Sequence, residues 1–304
     1  MNLLAFFKLI RWKNLLLILY VQLLLKFVAF PSFNIETFLT PFQFVVLVIS
    51  ILLITAAGYI INDISDIKTD LINKPKRVII SKHITIEKAQ QLYLWLNSVG
   101  IIAGIGLSLN VEKPSYTFIF IGASLLLYYY SKKFKSKPLI GNLIVSFLIA
   151  LNILILYIFD INKTINSTNQ QLLINIILSL SFFAFFLNLV RELLKDIEDV
   201  NGDYNLNMRT LPILIGEKRV KRIASFLCLI PLSLLIYFVV NFATTFKFTA
   251  LYLIASTIIP LLYIVIKLNS AKTKNEFQKL SSLLKLIMLL GISAIIIFSF
   301  NQYQ

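Results

Sequence analysis

One cysteine, one histidine, nine glycines and eight prolines are spread through 304 residues. A single cysteine excludes a disulfide framework, and a single histidine, His83, cannot supply the paired imidazoles of a zinc site. His83 reads as a surface residue, and Cys228, inside an apolar run, as a packing residue. No Gly/Ser-rich linker interrupts the chain, so residues 1–304 read as a single domain. Charge is scarce as well: Asp, Glu, Lys and Arg together reach 14%, against ~25% in soluble domains. What is plentiful is apolar. The residues AVILMFWYC make up 58% of the chain, which excludes both intrinsic disorder and an ordinary soluble fold.

Nine membrane-spanning helices of ~20 residues would consume ~180 residues, close to that apolar share. The apolar runs place them near 14–30, 41–61, 92–110, 116–131, 139–159, 172–190, 223–242, 248–266 and 282–300. The net charge of +15 then has a topological meaning. On this map 25 of the 29 Lys and Arg fall before the first span and in alternate connections, and only Lys26, Lys113, Lys163 and Lys247 fall on the other side. The positive-inside rule turns that split into a cytoplasmic N-terminus and an external C-terminus. A nucleic-acid binder gathers its cations into one soluble basic face instead, so no nucleic-acid partner is expected. The expected fold is all-α, a multi-pass bundle of nine helices in the cell membrane, and its first helix lacks a cleavage site. The short outer connections, PSFNIETFLTP and DINKTINSTNQ, read as plain loops. Pro231 and Pro260 fall inside spans, where neighbouring groups satisfy the freed carbonyls.

Acidic residues concentrate in two places. The second span runs into NDISDIKTD, with Asp63, Asp66 and Asp70 at offsets 0, 3 and 7. The sixth runs into RELLKDIEDVNGD, where Asp196, Asp199 and Asp203 repeat those offsets. On a helix at ~100° per residue, such a triad falls within ~60° of arc. Carboxylates stacked on one face repel unless a cation neutralises them, and an oxygen-rich site with positions left for phosphate suits Mg²⁺.

Cations flank both triads. Lys74, Lys76 and Arg77 follow the first, Arg191 and Lys195 precede the second, and Lys132, Lys133, Lys135 and Lys137 fill the connection after the fourth span. Carboxylate-held Mg²⁺ beside Arg and Lys is the arrangement that binds a diphosphate and stabilises it as it departs. Both triads sit where helices leave the bilayer, so the fitting donor is a lipid with a diphosphate head, a polyprenyl diphosphate. Ionisation of its allylic carbon calls for a dry, π-rich chamber, for which Phe118, Phe120, Tyr128, Tyr129, Phe147, Phe182, Phe183, Phe185 and Phe186 are candidates. Helix packing is the other role open to each of them.

These residues resemble the UbiA superfamily of intramembrane prenyltransferases over essentially the whole chain. Asn62, Asp63, Asp66 and Asp70 match its N-D-x-x-D-x-x-x-D motif, and Asp196, Asp199 and Asp203 its second aspartate motif, followed by a family-like Thr210-Leu211-Pro212. Asn73, Lys74, Pro75 and Arg77 look like its N-K-P-x-R-P, with Val78 replacing the last proline. Tyr130 and Lys135 are similar to its Tyr and Lys after the fourth helix. Arg11 and Asn14 resemble its first-helix R-P-x-N near the acceptor, with Trp12 in place of proline.

The resemblance implies transfer of a prenyl group from a polyprenyl diphosphate to a lipophilic acceptor. The six aspartates would bind Mg²⁺, Arg77, Arg191, Lys135 and Lys195 would hold the diphosphate, and Tyr130 would stabilise the allylic cation. NKPKRVI with KDIEDVNGD looks most like the branch labelled geranylgeranylglycerol-phosphate geranylgeranyltransferase, which makes ether lipids. An aromatic quinone precursor is the alternative acceptor. From other classes, a cation-coupled transporter would also use membrane carboxylates but tends to place them near the midplane. An inert scaffold would not require matched triads.

Overall fold

The computed structural model describes residues 3–73, 75, 78–161 and 167–302. In chain order the helices are α1 (Leu3–Leu9), α2 (Trp12–Leu24), α3 (Phe30–Ser32), α4 (Pro41–Ser65), α5 (Ile67–Asn73), α6 (Ile86–Asn110), α7 (Thr117–Tyr129), α8 (Ile140–Asp160), α9 (Thr168–Asn205), α10 (Leu211–Ile215), α11 (Glu217–Phe242), α12 (Lys247–Leu253), α13 (Ile259–Ser270) and α14 (Lys274–Gln302). Among the described residues no strand forms, only isolated bridges between Thr37 and Ile161 and between Ile80 and Ile84. Eight helical stretches are long and apolar enough to cross a membrane: Trp12–Ser32, Pro41–Ser65, Ile86–Asn110, Ile140–Asp160, Thr168–Asn205, Glu217–Phe242, Lys247–Ser270 and Lys274–Phe300. The segment expected as the fourth span is shorter, α7 of 13 residues continued by a π turn over Tyr130–Phe134.

Local chemistry explains several boundaries. Thr40 caps α4 through a capping box with Gln43, and Pro41 occupies the first turn, where its missing N–H costs nothing. Two further π turns, Leu25–Ala29 and Ile254–Ile258, end where Phe30 donates to Leu25 O and Ile259 to Ile254 O. Each lies just before a proline, Pro31 or Pro260. The proline ring cannot fit against a tight preceding turn, and one widened turn relieves the clash without breaking the helix.

The chain divides into two compact units, each drawn from several segments: 1–20, 39–144 and 201–208 in the first, 21–38, 145–200 and 209–304 in the second. Three of the five boundaries fall inside α2, α8 and α9, and the other two in the connections before α4 and before α10.

In the first unit α4 packs on α6 and α7. Lipid is as apolar as leucine, so such helices associate through close packing and buried hydrogen bonds. Gly100 and Gly104, one turn apart on α6, permit the approach. A Cβ at Gly100 would come within 2.9 Å of Ile54 and 3.2 Å of its backbone nitrogen. At Gly104 it would enter the ring of Phe120, 2.4 Å away. Ser50 Oγ, fully buried, donates to Gly100 O at 2.6 Å and ties the same two helices.

In the second unit α11 packs on α13 and α12 on α14. Phe183 of α9 occupies the groove over Gly291 of α14, so Phe120 and Phe183 are both packing residues, the second role open to them from sequence. Phe118, Phe147 and Phe182 are exposed. Cys228 is fully buried, as expected. One loop expectation needs correction. DINKTINSTNQ begins with Asp160, which is fully buried and accepts from Lys26 Nζ at 2.6 Å, with Lys26 itself 9% exposed. Beside this pair Gln22 Nε2 donates to Asn152 O at 2.5 Å. A charge taken out of water needs such a partner, and Asp160 belongs to the interior for that reason.

Candidate functional site

Asn62 and Asp63 lie in the last turn of α4, which ends at Ser65. Asp66 leaves helical geometry at φ −90°, ψ 1°, and α5 begins at Ile67. The first triad is therefore not one face of an unbroken helix, as its spacing suggests. Asp63 lies on α4, Asp66 at the break and Asp70 on α5, with Asp70 N–H still donating to Asp66 O at 2.8 Å.

Each of the two inner carboxylates has a cation. Arg11 sits between α1 and α2 at φ 51°, the turn that separates the two helices. Its Nη2 lies 2.6 Å from Asp63 Oδ1, and its guanidinium stands 4.9 Å over the Tyr59 ring. Asp66 is buried and receives Lys135 Nζ together with Asn62 Nδ2, the latter at 2.7 Å. The π turn at Tyr130 explains how Lys135 reaches it. Lys135 N–H donates to Tyr130 O at 2.9 Å, a five-residue span that inserts one extra position and re-aims the lysine. Burial works to lower the Lys135 pKa, and the Asp66 carboxylate outweighs it, so the ammonium stays above the ordinary lysine range.

Tyr130 is half-buried, and its ring edge would lie 3.2 Å from a Cβ at Gly141. Asn14 opens α2 with its N–H on Arg11 O at 2.7 Å. Arg77, Lys74 and Lys76 lie outside the described residues.

The second triad is built differently. Asp196, Asp199 and Asp203 all lie on α9, which runs unbroken from Thr168 to Asn205. One turn before them is a carboxylate that the triad spacing overlooks: Glu192, 8% exposed, 3.1 Å from Arg191 Nη1 and 2.5 Å from Lys195 Nζ. At offsets of 4, 7 and 11 from the aspartates it shares their helix face. Its buried position inside an apolar stretch was the available signal. It holds the two cations expected to meet a diphosphate, while Arg191 Nε is buried without a hydrogen-bond partner among the described residues. Glu198 points elsewhere and accepts from Gln278 of α14 at 2.8 Å.

Only the end of the second motif, residues 201–208 with Asp203, belongs to the first unit together with the first triad. Gly202 N–H donates to Asn73 Oδ1 at 3.1 Å, joining the residue before Asp203 to the segment three residues after Asp70. A Cβ at Gly202 would fall 2.3 to 2.6 Å from the Asn73 amide, so the Asn73 side chain would have to move and its bond from Gly202 N–H would be disturbed. Arg11, Asn14, Asn62, Asp63, Asp66, Asp70, Tyr130, Lys135 and Asp203 thus belong to one compact unit, and Arg191, Lys195, Asp196 and Asp199 to the other.

Among the described residues no three or more His, Cys, Asp or Glu side chains already converge on a metal position. The donors nevertheless suit a hard cation. They are oxygens throughout, and Asn62 Oδ1, beside Asp66, is buried without a hydrogen-bond partner among the described residues.

Residues 15–289 match the UbiA prenyltransferase family. Digeranylgeranylglyceryl phosphate synthase of Methanobrevibacter smithii is 34% identical over 249 residues, 81% of this chain and 83% of that protein. The enzyme of the same name from Sulfurisphaera tokodaii is 32% identical over 260 residues, 82% and 85% of the two chains. A solved structure described as digeranylgeranylglyceryl phosphate synthase in membranes superposes with a TM-score of 0.64 at 26% identity, covering 98% of each chain. A UbiA homologue from Archaeoglobus fulgidus, bound to DMAPP and Mg²⁺, shares the fold at a TM-score of 0.56 and 16% identity, over 96% of this chain and 99% of that one. Transporter and scaffold readings give way to these matches, and the protein is a multi-pass membrane prenyltransferase. The chain belongs to the UbiA prenyltransferase family.

Proposed function

We propose that both acidic motifs serve one site, which moves a prenyl group from a prenyl diphosphate to the hydroxyl of a prenylglyceryl phosphate, forming an ether lipid. The observation that carries this reading is the hydrogen bond from Gly202 to Asn73, which fastens the end of the second motif to the end of the first. The relatives support the acceptor: proteins 34% and 32% identical to this chain are named digeranylgeranylglyceryl phosphate synthase. The Archaeoglobus homologue with DMAPP and Mg²⁺ supports the donor and the metal.

Asp63, Asp66, Asp70, Asp196, Asp199 and Asp203, with the Asn62 carbonyl, would hold Mg²⁺. Bound there, the metal would neutralise the diphosphate and make it a better leaving group. The chain's own groups do the rest. Arg11 and Lys135 pair with Asp63 and Asp66 and offset their negative charge in a partly buried setting. Arg191, with its spare Nε–H, and Lys195, positioned by Glu192, would donate to the diphosphate oxygens, and Arg77 would join them. The allylic C–O bond breaks, and its electron pair leaves with diphosphate. Tyr130 would stabilise the cation by its ring face until the acceptor oxygen attacks the allylic carbon, its hydroxyl proton passing to the departed diphosphate. Asn14 would orient that acceptor by a neutral amide hydrogen bond.

In the same reading the chain forms one domain of nine spans, α7 and its π turn being the short fourth. The N-terminus faces the cytoplasm and both motifs open on that side, in keeping with the distribution of Lys and Arg.

The test uses purified protein with geranylgeranyl diphosphate, geranylgeranylglyceryl phosphate and Mg²⁺. Expected is a Mg²⁺-dependent ether product and stoichiometric diphosphate, both abolished by excess chelator. Product formation that survives the chelator would overturn the metal assignment. Transfer only to aromatic acceptors would overturn the acceptor while leaving the donor chemistry in place.

A further inference from the structure

At the polar end of α11, outside every residue assigned to prenyl transfer, lies an open cavity of about 530 Å³ lined by Glu217, Lys218, Lys221, Arg222 and Asn269. Its composition is lopsided: three cations against one carboxylate. Lys221 is already committed. Its Nζ donates to Ala271 O at 2.8 Å, just past the end of α13, and lies 3.2 Å from Glu217 Oε1. That bond fixes α11 to α13 and sets the cavity floor. Lys218 and Arg222, one turn apart on α11, are exposed and supply the remaining positive charge.

The surroundings indicate the occupant. One turn after Arg222 on α11 stands Phe226, 64% exposed, and one turn before Asn269 on α13 stands Ile266, 71% exposed, with Tyr263 beyond it. Both helices belong to stretches long and apolar enough to cross a membrane, and they pack on each other. A basic cavity thus sits directly above an apolar wall that faces lipid. A soluble anion would use the cavity and ignore the wall. A molecule with a phosphate head and hydrocarbon tails uses both.

The geometry points to a binding site for an anionic phospholipid of the surrounding bilayer, its phosphate between Lys218, Arg222 and Asn269 and its tails along Phe226 and Ile266. The site goes beyond prenyl transfer and does not depend on which acceptor the enzyme uses. It retains a negatively charged lipid against α11 and α13, with Lys221 as the fixed part of its wall.

Native mass spectrometry of the full chain, released from nanodiscs of mixed phosphatidylglycerol and phosphatidylcholine, tests the assignment. Wild type should retain one phosphatidylglycerol in preference to phosphatidylcholine. The double variant Lys218→Gln/Arg222→Gln should lose roughly tenfold or more of that preference, at about 1 kcal/mol per cation near a membrane surface. Both residues are exposed, so the fold should persist. Asn269→Asp, which adds a negative charge at the rim, is an independent variant expected to weaken retention in the same direction. Prenyl transfer in phosphatidylcholine vesicles should be unaffected by either change. Equal retention of the two lipids by wild type, or equal retention of phosphatidylglycerol by wild type and the double variant, would overturn the site. Displacement of the lipid by millimolar inorganic phosphate would assign the cavity to a soluble anion and overturn the lipid reading.

Discussion

The two acidic segments carry aspartates at identical spacing and reach it through different backbones. In the second, α9 runs straight through Asp196, Asp199 and Asp203, and the spacing translates directly into a shared face. In the first, α4 ends at Ser65, and Asp66 turns the chain before α5 resumes. Across the break the Asp66 backbone still bonds Asn62 O and accepts from Asp70 N–H, while its side chain takes Lys135 and Asn62 at once. Equal spacing therefore does not mean equal mechanics. The unbroken segment carries its carboxylates on one helix face, whereas the broken one turns at a buried carboxylate.

That difference can be pressed experimentally, and the largest effect should come from the carboxylates themselves. Asp66→Asn and Asp199→Asn each remove one charge and little volume, and each should lower kcat by about 10²–10³, the scale of losing one electrostatic stabiliser. Asp66→Asn should also release Lys135, so its variant should show the larger loss. Steady-state kinetics on folded variants checks both. Near-native turnover by either would leave the work to one triad and end the idea of a shared site.

A smaller effect is expected at Gly202, the contact that joins the segments. Alanine normally gains up to ~1 kcal/mol over glycine in a helix. At position 202 the clash with Asn73 costs about 1–3 kcal/mol, the range for overpacking, so the net effect is loss. Gly202→Ala should reduce activity about tenfold and lower the thermal unfolding midpoint. Gly122→Ala, with no atom within 4 Å of its Cβ, is the matched control and should do neither. Identical behaviour of the two would show that the Asn73 contact is incidental.

Labelling should change no rate at all and still decide the comparison. In a Cys228→Ser background, single cysteines at His83 and Tyr204, both exposed and close in sequence to the two motifs, should react with an impermeant maleimide from the cytoplasmic face. One at Thr244 should react only from the other side. Opposite labelling of positions 83 and 204 would place the triads on different faces of the membrane.

The helical class, the membrane setting and both triads were legible in the sequence, because apolar runs and fixed acidic spacing are local properties. Position 66 was not. Nothing in NDISDIKTD announces a helix break, since Asp66 leaves the helix to meet Lys135, 69 residues away. Glu192 hid for a related reason. It sits between two cations in RELLK and reads as a solvated ion pair, until burial on the face of the triad gives it another role. Arg11 was legible as a residue of interest near the acceptor, but its bond to Asp63 depends on a left-handed turn at Arg11 that no pattern in LIRWKN reveals. Asp160 misled by its neighbours, a polar run that looks like loop throughout.

The Lys26–Asp160 pair has a consequence for how the protein is made. Lys26 lies within the stretch Trp12–Ser32, and its counter-ion follows 134 residues later. At ~5–20 residues per second, the ribosome needs roughly 7 to 27 s to deliver Asp160 after Lys26. Through that interval the first helix carries a positive charge toward the hydrocarbon without the Asp160 carboxylate, and the lysine can reach for the interface by its long side chain. The Lys26–Asp160 pair can close only after the end of α8 has been made.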